Sequence, residues 1–267
     1  MVLAAVNGIR MAYSDTGSGS PVALLGHGFP LNRSMWDPQR GSLRALGLRV
    51  IAPDLRGFGA SEAGPTGSFT MEQHADDLVG LLDALGVTEP VIYVGLSMGG
   101  YVGFAVWRRH PSRVRAFVLA DTRAAADTQA GREDRLRVAR LAEEFLSPQP
   151  AIDSMLPRLF SPHLRAGSPP QQLVRGMMAS SSARAVADGQ RGLAARPESF
   201  SILGTIDVPT LVIVGEHDVL TPPDDSHQLA AGIAAARLAV IPQAGHMSNL
   251  ENADAFNEAL VEFVRDL

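Results

Sequence analysis

Ser97 stands in the run Gly95-Leu96-Ser97-Met98-Gly99-Gly100, directly after the apolar run Val91-Ile92-Tyr93-Val94 and directly before a second apolar stretch over residues 101–107. No other segment restricts the possible folds of this chain as sharply. A serine at the tip of a tight strand-to-helix turn holds its backbone in a strained conformation. Its flanks have no room for side chains, a requirement that Gly95 and Gly99 meet. An ordinary tight turn would satisfy the glycine pattern by itself; the strand before it and the helix after it make the run read as a nucleophile elbow. The helix that starts there offers unpaired N–H groups and the positive end of its dipole, where an anion can be stabilised.

The surrounding pattern is that of an α/β protein. Asn7-Gly8 separates two strand-like segments, 3–6 and 9–13, as the turn of a hairpin. Segments 22–25 and 49–52 are continuously apolar, as expected of parallel strands covered by helices on both faces. Thr70 with Gln73 forms a capping box, Leu78, Leu81, Leu82 and Leu85 follow at helical spacing, and Gly86 stops the helix. The apolar residues after Ser97 run most of the way round their helix, which is therefore a buried central one, with Arg108, Arg109 and His110 at its C-terminal end. Further strands are predicted at 116–120, 210–214 and 238–241, and a closing helix presents Phe256, Leu260 and Phe263 to the core.

This alternation breaks between residues 123 and 200, where Pro148, Pro150, Pro157, Pro162, Pro169 and Pro170 punctuate short helical segments such as 132–145. The expected organisation is a core of residues 1–122 and 201–267 carrying an inserted helical cap over 123–200. The insertion holds 11 arginines against 8 acidic residues. Solvated helix faces account for most of that charge; a preference for anionic substrates is the alternative.

Composition removes several chemistries. There is no cysteine, so no thiol nucleophile, disulfide or Cys-ligated zinc, and the 23 basic residues are all arginine, so neither a Schiff-base lysine nor a P-loop lysine exists. A net charge of -5 gives no support for nucleic-acid binding. No run approaches the roughly 20 apolar residues of a membrane span, and the start lacks a signal-peptide pattern. A soluble, cytoplasmic protein without membrane or nucleic-acid partners is expected.

A serine hydroxyl needs a base within reach and a carboxylate to orient that base. Asp218, in Gly215-Glu216-His217-Asp218, and His246, in Ala244-Gly245-His246-Met247, each follow a predicted strand. Their loops lie at the same sheet edge as the Ser97 turn. Asp121, after the strand 116–120, is the main rival acid, with Glu216 another; His27 and His217 are the rival bases. The developing oxyanion needs preorganised donors, and the N–H groups of Phe29, in Gly26-His27-Gly28-Phe29-Pro30, and of Met98 are the candidates. Met155, Met177 and Met178 are candidates for an adaptable acyl pocket, or else core filler.

Taken together, His27-Gly28-Phe29-Pro30, the run from Asp54 to Ser61, the Ser97 turn, Gly215-Glu216-His217-Asp218 and Ala244-Gly245-His246 resemble the α/β-hydrolase superfamily, close to its small carboxylesterases, enol-lactonases and perhydrolases. The resemblance implies an eight-stranded, mostly parallel sheet flanked by helices, an inserted helical cap, and cofactor-free, metal-free hydrolysis of a small-molecule ester through Ser97, His246 and Asp218. Asp54 and Arg56 match a motif read as loop bracing. Relatives that use an aspartate nucleophile are disfavoured by the serine at position 97. The alternatives are a lactonase of the 3-oxoadipate enol-lactonase kind, a perhydrolase or cofactor-free haloperoxidase, a lyase of the hydroxynitrile-lyase type, and a non-catalytic ligand receptor.

Overall fold

Asn7 and Gly8 both take positive φ, 44° and 78°, and fold strand β1 (Val2–Val6) back on β2 (Ile9–Asp15) as an antiparallel hairpin. The computed structural model in which this is seen describes residues 2–65 and 67–267. The hairpin borders β4 (Arg49–Pro53), antiparallel to β2, and from there every pairing is parallel. With β3 (Val22–Gly26), β5 (Val91–Leu96), β6 (Val114–Ala120), β7 (Thr210–Gly215) and β8 (Ala236–Ile241) it makes one eight-stranded sheet of order β1-β2-β4-β3-β5-β6-β7-β8.

Helices cover both faces, and the side chains of each strand alternate between them. Tyr93 points into a core cluster with Leu78, Leu81 and Leu82 of α2 (Met71–Ala84) and Val102 and Phe104 of α3 (Met98–Arg109). Ile92 and Val94 point into the opposite cluster, built on Leu43 of α1 (Asp37–Ala45) and on Phe256, Leu260 and Phe263 of the C-terminal helix. Residues 98–107 of α3 are all buried, as its apolar circumference requires. The Thr70 hydroxyl accepts from the Gln73 N–H, which sets the start of α2.

Between β6 and β7 the chain runs through α4 (Gln129–Glu144), α5 (Gln149–Met155), α6 (Pro169–Ser180), α7 (Ala183–Ala195) and the short α8 (Phe200–Leu203), with α4 lying along α7. After β7 come α9 (Pro223–Gly232), then β8, α10 (Ser248–Glu251) and α11 (Ala253–Arg265). Three elements start earlier than their apolar runs. In β6 the exposed Arg115 interrupts the pattern. β8 pairs with β7 alone and is half exposed, so its first residues carry no hydrophobic signal. Helix α4 begins at Gln129 because the Thr128 hydroxyl caps it through the Gly131 N–H, a cap without the glutamate or glutamine that completes a capping box. Among the described residues no helix is long and apolar enough to cross a membrane.

Candidate active site

Ser97 sits between β5 and α3 at φ 54° and ψ -112°. A non-glycine residue there carries about 1–3 kcal/mol of backbone strain. Its surroundings hold it in place. The Ser97 N–H donates to the Ala120 carbonyl at 2.9 Å, and the Ser97 carbonyl accepts from the Thr122 hydroxyl at 3.0 Å. A side chain at Gly95 would collide with the Gly99 carbonyl, and one at Gly99 with the Gly26 carbonyl of β3. Both glycines are therefore required by close approach, as the sequence predicts.

Asp218 follows β7 and His246 follows β8, and the two meet. His246 Nδ1 lies 2.8 Å from Asp218 Oδ2, and both residues are buried. Asp218 Oδ1 accepts from the N–H groups of Leu220 and Thr221 at 2.8 and 3.0 Å, and the Thr221 hydroxyl donates to Oδ2 at 2.6 Å. Burial works against ionisation of Asp218, but the His246 charge and the bonds from His246 and Thr221 outweigh it and hold the carboxyl below its ordinary range. An ionised Asp218 fixes the imidazole tautomer: Nδ1 carries the proton and donates, which leaves the Nε2 lone pair free.

The rival acid is elsewhere engaged. Asp121 Oδ1 accepts from the Gly215 N–H at 2.9 Å and Oδ2 accepts from the Ser248 hydroxyl. Burial, with the neighbouring Asp218 charge, drives its carboxyl well above the ordinary range, and the Ser248 and Gly215 bonds offset this only in part. Glu216 accepts from the Gln243 N–H and lies 3.7 Å from His217. His27 is a buried brace between loops: Nδ1 donates to the Gly28 carbonyl at 2.9 Å and Nε2 accepts from the Leu55 N–H at 2.9 Å. Arg56 pairs with Asp77 through two 2.7 Å bonds, and Asp54 accepts from the N–H groups of Arg33 and Ala60.

Ser97 and His246 line one cavity of about 350 Å³, together with Phe29, Met98, Tyr101 and Met155. Among the described residues neither the Phe29 nor the Met98 N–H donates a hydrogen bond. The three methionines separate. Met155 lines the cavity, whereas Met177 and Met178 are buried in the core cluster beside α1 and α11. Helix α6 turns that face inward for its own packing, with Met177 Sδ 3.3 Å from the Ser34 hydroxyl oxygen. These two are core filler, and the pocket expectation for them is corrected.

Much of the cavity wall comes from the segment between β6 and β7 and is charged, with Arg123, Asp127, Asp134, Arg135 and Arg158. Sequence reasoning missed this wall and the Thr221 clamp. Thr221 was legible, since Asp-x-x-Thr is a local side-chain-to-backbone pattern. The wall was not, because its residues come from the loop after β6, from α4 and from the turn after α5, which only tertiary packing brings together.

The description of the alpha/beta hydrolase fold matches residues 21–253, and the chain belongs to that hydrolase family of enzymes. It is similar over 99% of its length, and 98% of the other chain, to a thermophilic esterase from Thermogutta terrifontis solved with malate bound, at 40% identity and a TM-score of 0.92. The enol-lactonase from Burkholderia xenovorans LB400 is similar over 99% of this chain and 100% of its own, at 32% identity and a TM-score of 0.89. A 2-hydroxymuconate semialdehyde hydrolase from Pseudomonas putida is 32% identical over 268 residues, 97% of this chain and 92% of that protein.

Proposed function

We propose that this chain is a serine hydrolase that cleaves small carboxylic esters through an acyl-enzyme. The observation that carries the reading is the 2.8 Å bond from Asp218 to Nδ1 of His246, a residue that lines the same cavity as Ser97. Ser97 Oγ attacks the ester carbonyl and passes its proton to His246 Nε2 while Asp218 stabilises the imidazolium. The oxyanion of the tetrahedral intermediate accepts from the N–H groups of Phe29 and Met98, each such donor being worth about 3 kcal/mol. The imidazolium then protonates the departing alkoxide. In the second half His246 takes a proton from water, which attacks the acyl carbon, and the proton returns to Ser97. The helical insertion acts as a cap over the cavity, and Met155 contributes to the acyl pocket.

The test is Ser97→Ala, assayed on p-nitrophenyl butyrate with the fold checked by circular dichroism. Loss of turnover by about a millionfold is expected, and near-wild-type turnover would remove the reading. A lactone is the second substrate class, favoured by the likeness to the enol-lactonase, because ring opening needs the same acyl-enzyme steps. A perhydrolase would use peroxide in place of water in the second half. A panel of esters, lactones, and acetate with peroxide separates the three by kcat/KM.

A further inference from the structure

We infer that the cavity is built for an ester or lactone that carries a second, free carboxylate, and that Arg158 is the group that binds it. This rests on the reading of the cavity as the acyl-transfer site and adds the charge of its substrate.

Three arginines line the cavity, and two of them are already engaged. Arg123 and Arg135 both pair with the buried Asp127, which also holds Arg196 at 2.9 Å. Arg158 closes the turn Leu156–Arg158 after α5, is exposed, and has no acidic or hydrogen-bonding partner among the described residues. A guanidinium offers five donors in a fork that matches a carboxylate, and it stays charged at any working pH.

The wall behind it is electropositive for a separate reason. One buried carboxylate, Asp127, faces three guanidinium groups, and the other acid near them, Asp225, lies 4.0 Å from Arg123. Asp134, the second lining acid, is taken up by Arg137 at 2.6 Å. Positive charge left over along this wall raises the potential inside the cavity and attracts an anion. Two donor groups there are also unused. Arg123 Nε is buried without an acceptor. Gln190, whose Oε1 accepts from Arg135 at 3.1 Å, has no acceptor among the described residues for its amide N–H groups. A neutral acyl chain would meet none of these needs.

The experiment compares charged and neutral esters of matched size on the wild type, Arg158→Ala and Arg158→Lys. Mono-p-nitrophenyl adipate against p-nitrophenyl heptanoate places the carboxylate on the acyl side. Acetoxybenzoate against acetoxyacetophenone, both para-substituted, places it on the alcohol side. For at least one pair the wild type should favour the charged ester in kcat/KM, and Arg158→Ala should lower the charged-to-neutral ratio about tenfold or more, as loss of a charge-assisted bond does. Arg158→Lys should restore part of it. A ratio unchanged by Arg158→Ala in both pairs would overturn the inference. If no ester is turned over at all, the ester reading falls, and calorimetric titration with adipate then decides this one. About tenfold weaker adipate binding to Arg158→Ala than to the wild type keeps the carboxylate site, whereas equal affinity, or no binding to the wild type, removes it.

Discussion

Two aspartates lie close together at the end of the sheet, and their partners divide them. Asp218 is held ionised by His246 and Thr221, whereas Asp121 is buried against Ser248 and the Gly215 N–H and pushed toward its neutral form. Asp218→Asn should therefore lower kcat by about 10⁴-fold, the scale of losing the residue that sets the histidine tautomer. Asp121→Asn, at a carboxyl bonded to Ser248 and the Gly215 N–H and not to His246, should cost about tenfold or less; steady-state kinetics of the two variants check this. His74 supplies a pH test. It is buried beside Phe58 and Phe69 with both ring nitrogens unpartnered, and burial, then His27 and Arg56, lower its pKa to about 3. The folded protein keeps His74 neutral, while the unfolded chain binds a proton below about pH 6.5. Its contribution is thus complete above about pH 6.5 and is lost as pH falls toward about 3. His74→Phe should flatten the slope of melting temperature against pH between about pH 4 and 6, read by calorimetry.

Strand ends and helix starts make the site at the scale of elements. The turn between β5 and α3 works because α3 starts in contact with the backbone of β3, where the Gly99 Cα faces the Gly26 carbonyl. Gly99→Ala forces the helix start away from β3 and should destabilise the fold by about 1–3 kcal/mol, the usual cost of overpacking. Urea unfolding measures the destabilisation, and kcat/KM on p-nitrophenyl butyrate should fall by more than the stability loss accounts for if the Met98 N–H serves the proposed oxyanion site. The hairpin, the strand order of events along the chain, the cap at Thr70 and the buried character of α3 were legible, since each depends on residues adjacent in sequence or on helical spacing. The early start of β8 was not. An edge strand paired on one side keeps polar residues in the ladder, and nothing in a one-dimensional pattern marks their pairing with β7.

Across the whole molecule, the helical segment between β6 and β7 is tied to itself by ion pairs around Asp127, and Arg123 also lies 4.0 Å from Asp225 of α9. Asp127 precedes α4, yet it gathers Arg123 from the exit of β6, Arg135 from α4 and Arg196 from the end of α7. Burial opposes its ionisation, the arginines outweigh burial, and its pKa falls to about 2. Asp127→Asn leaves three guanidinium groups without their shared counter-charge and should cost about 3 kcal/mol in chemical denaturation. The sequence by itself determined the class of the sheet, the place of Ser97 at a strand-to-helix turn, and the short list of acids and bases, because backbone geometry and hydrophobic period are local properties. The partners of Asp218 and Asp121, the retreat of Met177 and Met178 into the core, and the arginine-lined wall were decided only by tertiary structure. Hydrogen-bond direction, burial and the sum of charges around a cavity depend on which distant segments meet. A chain read residue by residue carries no measure of those distances.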